Sequence, residues 1–219
     1  MFVGHYAAAM AAKAAAPKAP MWALAGGCQL VDIAWSLFIM TGVERARIDP
    51  TLAGSTLVLE HMPWTHSLPM SAAWAVAAGL VAFFLLRLPV WASGVIGLSV
   101  LSHWFLDFLV HRPDLELWVG AQKVGLGLWD YPVPEQALEI GLIAVAGAAW
   151  AASRVANDRY AWPALAFIAF LVAVQVLPML MPAPEAGPVG IAFAAQALLV
   201  YIIVAGVAAL TDVERQQVY

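Results

Sequence analysis

A stripe of ionisable side chains interrupts an apolar segment at residues 102–114, which read SHWFLDFLVHRPD. His103, Asp107 and His111 follow one another at intervals of four, so on an α-helix each lies about 40° further round than the last. Side chains at this spacing have Cβ atoms ~5–6 Å apart, close enough to bind one ion or two adjacent ions. Imidazole and carboxylate ligands together are typical of Zn²⁺, with Mn²⁺ or Fe²⁺ as alternatives. The stripe is therefore explained by a metal site, by a proton or ion path, or by a polar patch that only holds helices together, and its ligand types favour the metal site.

Further candidate ligands lie in other apolar segments, where a carboxylate such as Asp32 costs roughly 2.5–3.5 kcal/mol unless it is paired. Six side chains are predicted metal ligands: His5, Asp32, His66, His103, Asp107 and His111. They suffice for one or two Zn²⁺ ions, the second sharing a bridging carboxylate. Glu139 is a further candidate ligand or the general base, and Arg112 is a candidate clamp for an anionic substrate such as a phosphoester.

The composition indicates the class of protein that must position these groups. Hydrophobic residues make up 63% of the 219 residues and charged residues only 11%, whereas soluble domains carry about 25% charged residues. We expect an all-α integral membrane protein. The net charge of −4 excludes a nucleic-acid partner, because no basic face exists to neutralise phosphates. The single cysteine, Cys28, excludes an internal disulfide and a cysteine-based metal cluster.

The apolar segments predict a single domain over residues 1–219 with about seven transmembrane helices. Six segments reach the ~20 residues that a membrane span requires: 21–43, 64–86, 88–110, 134–152, 160–180 and 189–210. The seventh, 2–16, is short, and we expect a tilted span or an interfacial helix rather than a cleaved signal peptide. The site-bearing helices fall within 1–152. Those in 160–210 are expected to serve packing or homo-oligomer contacts through Ala- and Gly-rich faces.

Two long connections, 44–63 and 111–133, fall on the same side of the predicted membrane. The opposite side carries six basic residues, against four on the side of the long connections: Lys13, Lys18, Arg87, Arg154, Arg159 and Arg215 against Arg45, Arg47, Arg112 and Lys123. The positive-inside rule places the more basic side in the cytoplasm. The candidate site is therefore predicted near the extracytoplasmic surface.

Several short motifs together resemble a family of bacterial inner-membrane metal-dependent hydrolases. The resemblance covers roughly residues 1–145 and rests on MFVGHY, QLVDIAW, PWTHSLP, SHWFLDFLVHRPDLEL and VGLGLWDYP followed by ALEIGL. It implies that His5, Asp32, His66, His103 and Asp107 are metal ligands, with His111 and Glu139 as further candidates. The chain departs from the family pattern at residues 31–34, which read VDIA where more typical members have Pro-Asp-x-Asp. The ligand order is also similar to that of zinc-dependent phospholipases C, which implies phosphoester hydrolysis on lipids.

Three functions follow from these patterns. The first is a metal-dependent hydrolase that acts on an ester or phosphoester of a lipid-like substrate, with membrane lipid as its partner. The second is a transporter or channel for metal ions or protons. The third is a non-catalytic scaffold with a structural metal. Because the polar residues lie in one half of the predicted bundle, they favour a site over a path across the membrane.

Overall fold

The chain is mostly helical, as its apolar segments predict. A computed structural model describes residues 1–182 and 184–212, so Arg215 lies outside the described residues. Within that part of the chain the helices are α1 (His5–Ala15), α2 (Met21–Cys28), α3 (Leu30–Met40), α4 (Leu68–Phe84), α5 (Val90–Val110), α6 (Pro132–Ala156), α7 (Trp162–Met179) and α8 (Ile191–Ala209).

Four of these helices, α5 to α8, are long and apolar enough to cross a membrane. A fifth candidate is the pair α2 and α3, which meet at Gln29 with a bend of 54°. The predicted count of seven is not confirmed, because α1 and α4 are too short by the same criterion. Segment 21–43, predicted as one helix, is therefore two helices joined at an angle.

The first helix, α1, is a core element. It packs against α2, α5 and α6, and Tyr6, Ala9 and Met10 are fully buried. Its 11 residues reach only about 16 Å, roughly half of a ~30 Å hydrocarbon core. The prediction of a tilted span or an interfacial helix is not confirmed, because α1 is a short helix buried in the core. An alanine-rich segment is apolar enough for either place, so composition alone does not separate them.

Helices α4 and α5 form a closely packed antiparallel pair. A Cβ atom at Gly97 of α5 would come within 2.9 Å of the Ala75 carbonyl oxygen on α4, which is closer than a side chain tolerates. At the C-terminal end of α5, residues 125–127 fold back, and Leu126 and Gly127 donate hydrogen bonds to the carbonyls of Phe108 and His111. These contacts fix the last two turns of α5, which carry the His103, Asp107 and His111 stripe.

The two long connections contain short β-strands, although the sequence predicts an all-α chain. In the first, β1 (Arg45–Ile48) pairs antiparallel with β2 (Leu57–His61) and with β5 (Gly187–Pro188). In the second, β3 (Leu115–Glu116) pairs with β4 (Lys123–Val124). The two connections touch, since the Leu59 amide donates to Asp114 at 3.1 Å and the Lys123 ammonium donates to the Leu59 carbonyl at 2.8 Å. They lie at the same end of the bundle, as predicted.

The opposite end of α1 is held by a separate set of charged groups. The Lys13 ammonium contacts Asp212 at 2.6 Å and donates to the Ala19 carbonyl at 2.7 Å. Arg154 of α6 donates to the Thr211 carbonyl at 3.0 Å. Two of the basic residues assigned to the cytoplasmic side therefore lie together, and they tie the end of α8 to α1 and α6.

Candidate metal centre

Four parts of the chain bring the six predicted ligands to one place inside the bundle: α1, α3, the segment before α4, and the end of α5. His5 is the first residue of α1, and Asp32 lies one turn beyond the bend between α2 and α3. His66 precedes α4, while His103, Asp107 and His111 come from the end of α5. All six side chains are buried. The sequence thus identified a set of residues that the fold brings together, although their separation along the chain exceeds one hundred positions.

The Asp107 carboxylate lies at the middle of the cluster, between four histidines. Its Oδ1 is 3.1 Å from His5 Nε2 and 3.5 Å from His111 Nε2. Its Oδ2 is 3.1 Å from His103 Nε2 and 3.6 Å from His66 Nε2. The Met1 nitrogen also donates to Oδ1 at 2.8 Å. Asp107 is therefore the group that all the imidazoles share.

Asp32 faces two of the same histidines from the other side. Its Oδ1 is 3.3 Å from His66 Nε2 and 3.5 Å from His103 Nε2. Two groups of ligand atoms result, each with its members within 4.8 Å of one another: His5, His103 and Asp107, and Asp32, His66 and His103. Because His103 belongs to both groups, the geometry suits one ion near His103 or two adjacent ions.

Three of the histidines, His66, His103 and His111, are oriented by hydrogen bonds at Nδ1. His103 Nδ1 donates to the Cys28 carbonyl at 2.9 Å, and His111 Nδ1 donates to Asp114 Oδ1 at 3.1 Å. Neither acceptor has a proton to give, so we infer that each Nδ1 carries the hydrogen. The Nε2 atom of each ring is then left as a lone pair directed at the carboxylates. This is the arrangement that metal-bound histidines adopt in proteins.

His66 is oriented in the same way through a threonine. Its Nδ1 is 2.7 Å from the Thr65 hydroxyl, which is 2.6 Å from Glu44 Oε2. Glu44 also accepts hydrogen bonds from the Trp64 and Thr65 amides at 2.9 and 3.0 Å. Burial raises the pKa of the Glu44 carboxyl, although the hydrogen bonds from Thr65 favour its charged form. The carboxylate can only accept, so the hydroxyl proton goes to Glu44 and the His66 Nδ1 proton goes to the hydroxyl.

Neutral imidazoles in this orientation would place lone pairs against carboxylate oxygens. In the described part of the chain, His103 Nε2 is a buried nitrogen without a hydrogen bond of good geometry. Two carboxylates removed from water are costly unless a positive charge lies between or beside them. The Met1 ammonium supplies one positive charge beside Asp107, and extra protons on the imidazoles or bound metal at the Nε2 positions would offset the second carboxylate.

His5 differs from the other histidines in its support. Its ring stacks on that of His103, with centroids 3.8 Å apart and planes within 4°, and its Nδ1 makes no hydrogen bond with the described residues. The segment before it is held by Glu139 of α6, which accepts from the Phe2 amide at 3.0 and 3.1 Å and from the Gly4 amide at 2.8 Å. The structure thus places the Glu139 carboxylate on backbone amides, outside both groups of ligand atoms.

Arg112 lies outside the cluster. Its Nε donates to Asp130 at 2.6 Å and its Nη1 to the Ser55 carbonyl at 3.0 Å. The guanidinium carbon is 6.0 Å from the centre of the Trp129 ring. These contacts join the first long connection to the second. The predicted role of Arg112 as an anion clamp has no support in this geometry, because its side chain is not part of the cavity wall described next.

A partly enclosed cavity of about 570 Å³ reaches the cluster. Its polar end is formed by Asp32, His66, Asp107 and His111, and its walls come from Trp35, the first long connection, α7 and α8. Tyr201 of α8 also lines it and lies near the Asp32 carboxylate. The sequence gives no signal for Tyr201, since a lone tyrosine in an apolar helix carries no distinguishing pattern. It gives none for Glu44, Thr65 and Asp114 either, which act through the histidines.

The chain matches no protein-family model, no curated protein sequence and no solved structure.

The Thr65 hydroxyl offers a test of this orientation. In Thr65→Val, His66 loses its acceptor and the Nε2 lone pair is no longer fixed. We expect about 10–100-fold weaker metal binding, the range measured for outer-shell partners of metal ligands, by competition with a fluorescent zinc chelator. Thr41→Val, at an exposed threonine that bonds only its own helix, is the matched control. Equal affinities in the two variants would contradict a role for Thr65.

Proposed function

We propose that the chain is an integral protein of the bacterial inner membrane and a metal-dependent hydrolase. Its substrate is an ester or phosphoester of a lipid-like molecule, met near the extracytoplasmic surface. The observation that carries the proposal is the orientation of His66, His103 and His111, whose Nε2 atoms all face the buried Asp107 carboxylate, with Asp32 facing the first two. The resemblance to inner-membrane metal-dependent hydrolases agrees with it.

Zn²⁺ fits the donor set best, with Mn²⁺ or Fe²⁺ as alternatives, because the ligands are imidazoles and carboxylates without a cysteine. Cys28 takes part through its backbone carbonyl alone. A divalent ion held here would polarise an ester and lower the pKa of a coordinated water to about 7. His103 belongs to both groups of ligand atoms and Asp107 faces all four histidines, so they are the residues on which binding depends most.

His111 is the best-placed group to move a proton. It lines the cavity and lies outside both groups of three ligand atoms. Its Nδ1 donates to Asp114, as the histidine of a hydrolytic triad donates to its aspartate. Nε2 can therefore accept a proton while Asp114 stabilises the resulting charge. In this proposal Glu139, predicted as a general base, instead positions the segment before His5.

The transport alternative is less favoured by the packing behind the cluster. From the site toward Lys13, the interior is filled by buried apolar side chains, among them Met10, Leu24 and Ile143. Polar groups that could relay an ion or a proton are concentrated at the cavity end. A site that is open on one side suits turnover of a bound molecule better than passage through the bundle.

Elemental analysis of the detergent-purified protein tests the proposal directly. Wild-type protein reloaded with Zn²⁺ is expected to retain one or two equivalents, and His103→Ala/Asp107→Ala is expected to retain none. His61→Ala is the matched control, since His61 lies on β2 outside the cluster. Metal-loaded wild type is then screened against lipid esters and phosphoesters. Absence of bound metal after reloading would refute the proposal, as would a double variant that hydrolyses substrate at the wild-type rate.

A further inference from the structure

The cavity walls on α7 and α8 are two facing apolar stripes. On α7 they comprise Phe170, Val174, Leu177 and Pro178, at the spacing of one helix face. On α8 the stripe runs from Phe193 through Ala197 and Val200 to Val204. Both helices are long and apolar enough to cross a membrane. The cavity is thus an apolar slot between two such helices, and its inner end is the His/Asp cluster.

The slot opens through the outer surface of these helices. Leu177 of α7 and Ile203 of α8 line the cavity and are nevertheless 62% and 47% exposed, and Met181, just beyond the end of α7, is 57% exposed. On helices of this length and composition, exposed apolar side chains face hydrocarbon. The mouth of the slot is therefore directed sideways, toward the interior of the bilayer.

We propose that this slot binds one alkyl chain of a membrane lipid, which enters between α7 and α8 and presents its polar end to the cluster. The inference rests on the proposed function for what happens at that polar end. It adds a subsite for a single chain and a lateral route of entry. A volume of about 570 Å³ lies within the ~300–1,000 Å³ typical of small-molecule sites.

The chemistry of the walls favours a hydrocarbon chain over a peptide. A peptide needs hydrogen-bond partners for each buried N–H and C=O group. Within the described residues, the polar side chains that α7 and α8 contribute to the wall are Gln196 and Tyr201, and Tyr201 lies at the cluster. An alkyl chain needs no such partners. Met62 and Met181, also in the wall, have flexible side chains that adapt to a chain of variable shape.

Photolabelling tests the subsite without requiring catalysis. The probe is a hexadecyl phosphate that carries a diazirine in the middle of its chain, added to the full-length protein in phosphatidylcholine nanodiscs. Mass spectrometry locates the labelled residues. We expect label on the inner stripes, around Val174 and Ala197, in excess of that on exposed apolar residues of α4 such as Val76 and Leu80. Label spread equally over all lipid-facing residues would overturn the proposal.

Two pairs of variants sharpen the test. Ala197→Trp and Val174→Trp fill the slot from opposite walls, while Ala195→Trp and Val176→Trp add the same bulk outside the cavity wall. Excluding about two methylene groups from an apolar site weakens binding about tenfold, so labelling should fall about tenfold in the first two variants alone. Wild-type labelling in a folded Ala197→Trp or Val174→Trp protein would overturn the subsite.

The metal-site variant separates this inference from the proposed function. In His103→Ala/Asp107→Ala the slot remains, and the mid-chain label should still fall on α7 and α8. If wild type binds no metal yet labels as expected, the hydrolase proposal fails and the chain subsite stands. If wild type binds metal and the label on α7 and α8 does not exceed that on other lipid-facing residues, the subsite is refuted and the metal centre is retained.

Discussion

Chelation of bound metal is expected to lower the thermal midpoint of the wild-type protein by about 5–10 °C and to leave that of Asp107→Asn unchanged. A ligand present at 100 times its Kd stabilises the folded state by about 2.7 kcal/mol. For a chain of this size, 1 kcal/mol shifts the midpoint by roughly 2–4 °C. Asp107 is the critical residue because its carboxylate faces the Nε2 atoms of His5, His66, His103 and His111.

The asparagine keeps the size of the side chain and removes its charge, so the comparison isolates cation binding. Asp49→Asn is the control, since Asp49 accepts hydrogen bonds from Arg47 and Thr51 in the first long connection. Wild type and the two variants are heated with excess Zn²⁺ and with chelator, and unfolding is followed by tryptophan fluorescence. An equal chelation shift in wild type and Asp107→Asn would contradict a metal centre at this carboxylate.

Glu139→Ala is expected to destabilise the segment before His5 by about 3–5 kcal/mol. The Glu139 carboxylate is buried and accepts hydrogen bonds from the Phe2 and Gly4 amides. A hydrogen bond to a charged group contributes about 1.5–3 kcal/mol, and both amides would lose this partner, the Gly4 amide in a buried position. Amide hydrogen exchange over residues 2–7 should accelerate by about 100-fold or more.

Hydrogen-exchange mass spectrometry measures the exchange rate for each peptide separately. Glu185→Ala, at an exposed glutamate, should exchange like wild type. Glu139→Gln separates the positioning role from the predicted role as a general base. Unchanged exchange over residues 2–7 in Glu139→Ala would contradict the positioning role. Lost turnover in Glu139→Gln, with exchange like that of wild type, would support the general base.

The ligand cluster could be predicted from the sequence for a definite physical reason. His103, Asp107 and His111 share a helix face through local spacing alone, and α5 places them as that spacing requires. Asp32 was recognisable because an ionisable group inside an apolar segment must find a partner. The position of α1 could not be predicted, since an alanine-rich segment is equally apolar in a protein core and in a bilayer.

The residues that support the histidines could not be predicted from the sequence, for a different reason. Glu44, Thr65 and Asp114 lie in connections between helices, and polar residues are common there. Glu44 reaches Thr65 only through the fold of the first long connection, and Asp114 reaches His111 through the turn after α5. For Glu139, the sequence indicated proximity to the site and left the role open. Its backbone partners became visible only when α6 was placed beside the segment before α1.

The 54° bend between α2 and α3 also determines the proton position on His103. In a continuous helix the Cys28 carbonyl would accept the amide of residue 32, four positions further along. The break at Gln29 leaves the carbonyl groups at the end of α2 without helical partners, and the Cys28 oxygen accepts His103 Nδ1 instead. The same break turns Asp32, at the start of α3, toward that imidazole. The bend therefore selects the tautomer of His103, and straightening this helix would remove the acceptor that leaves Nε2 as the free donor atom.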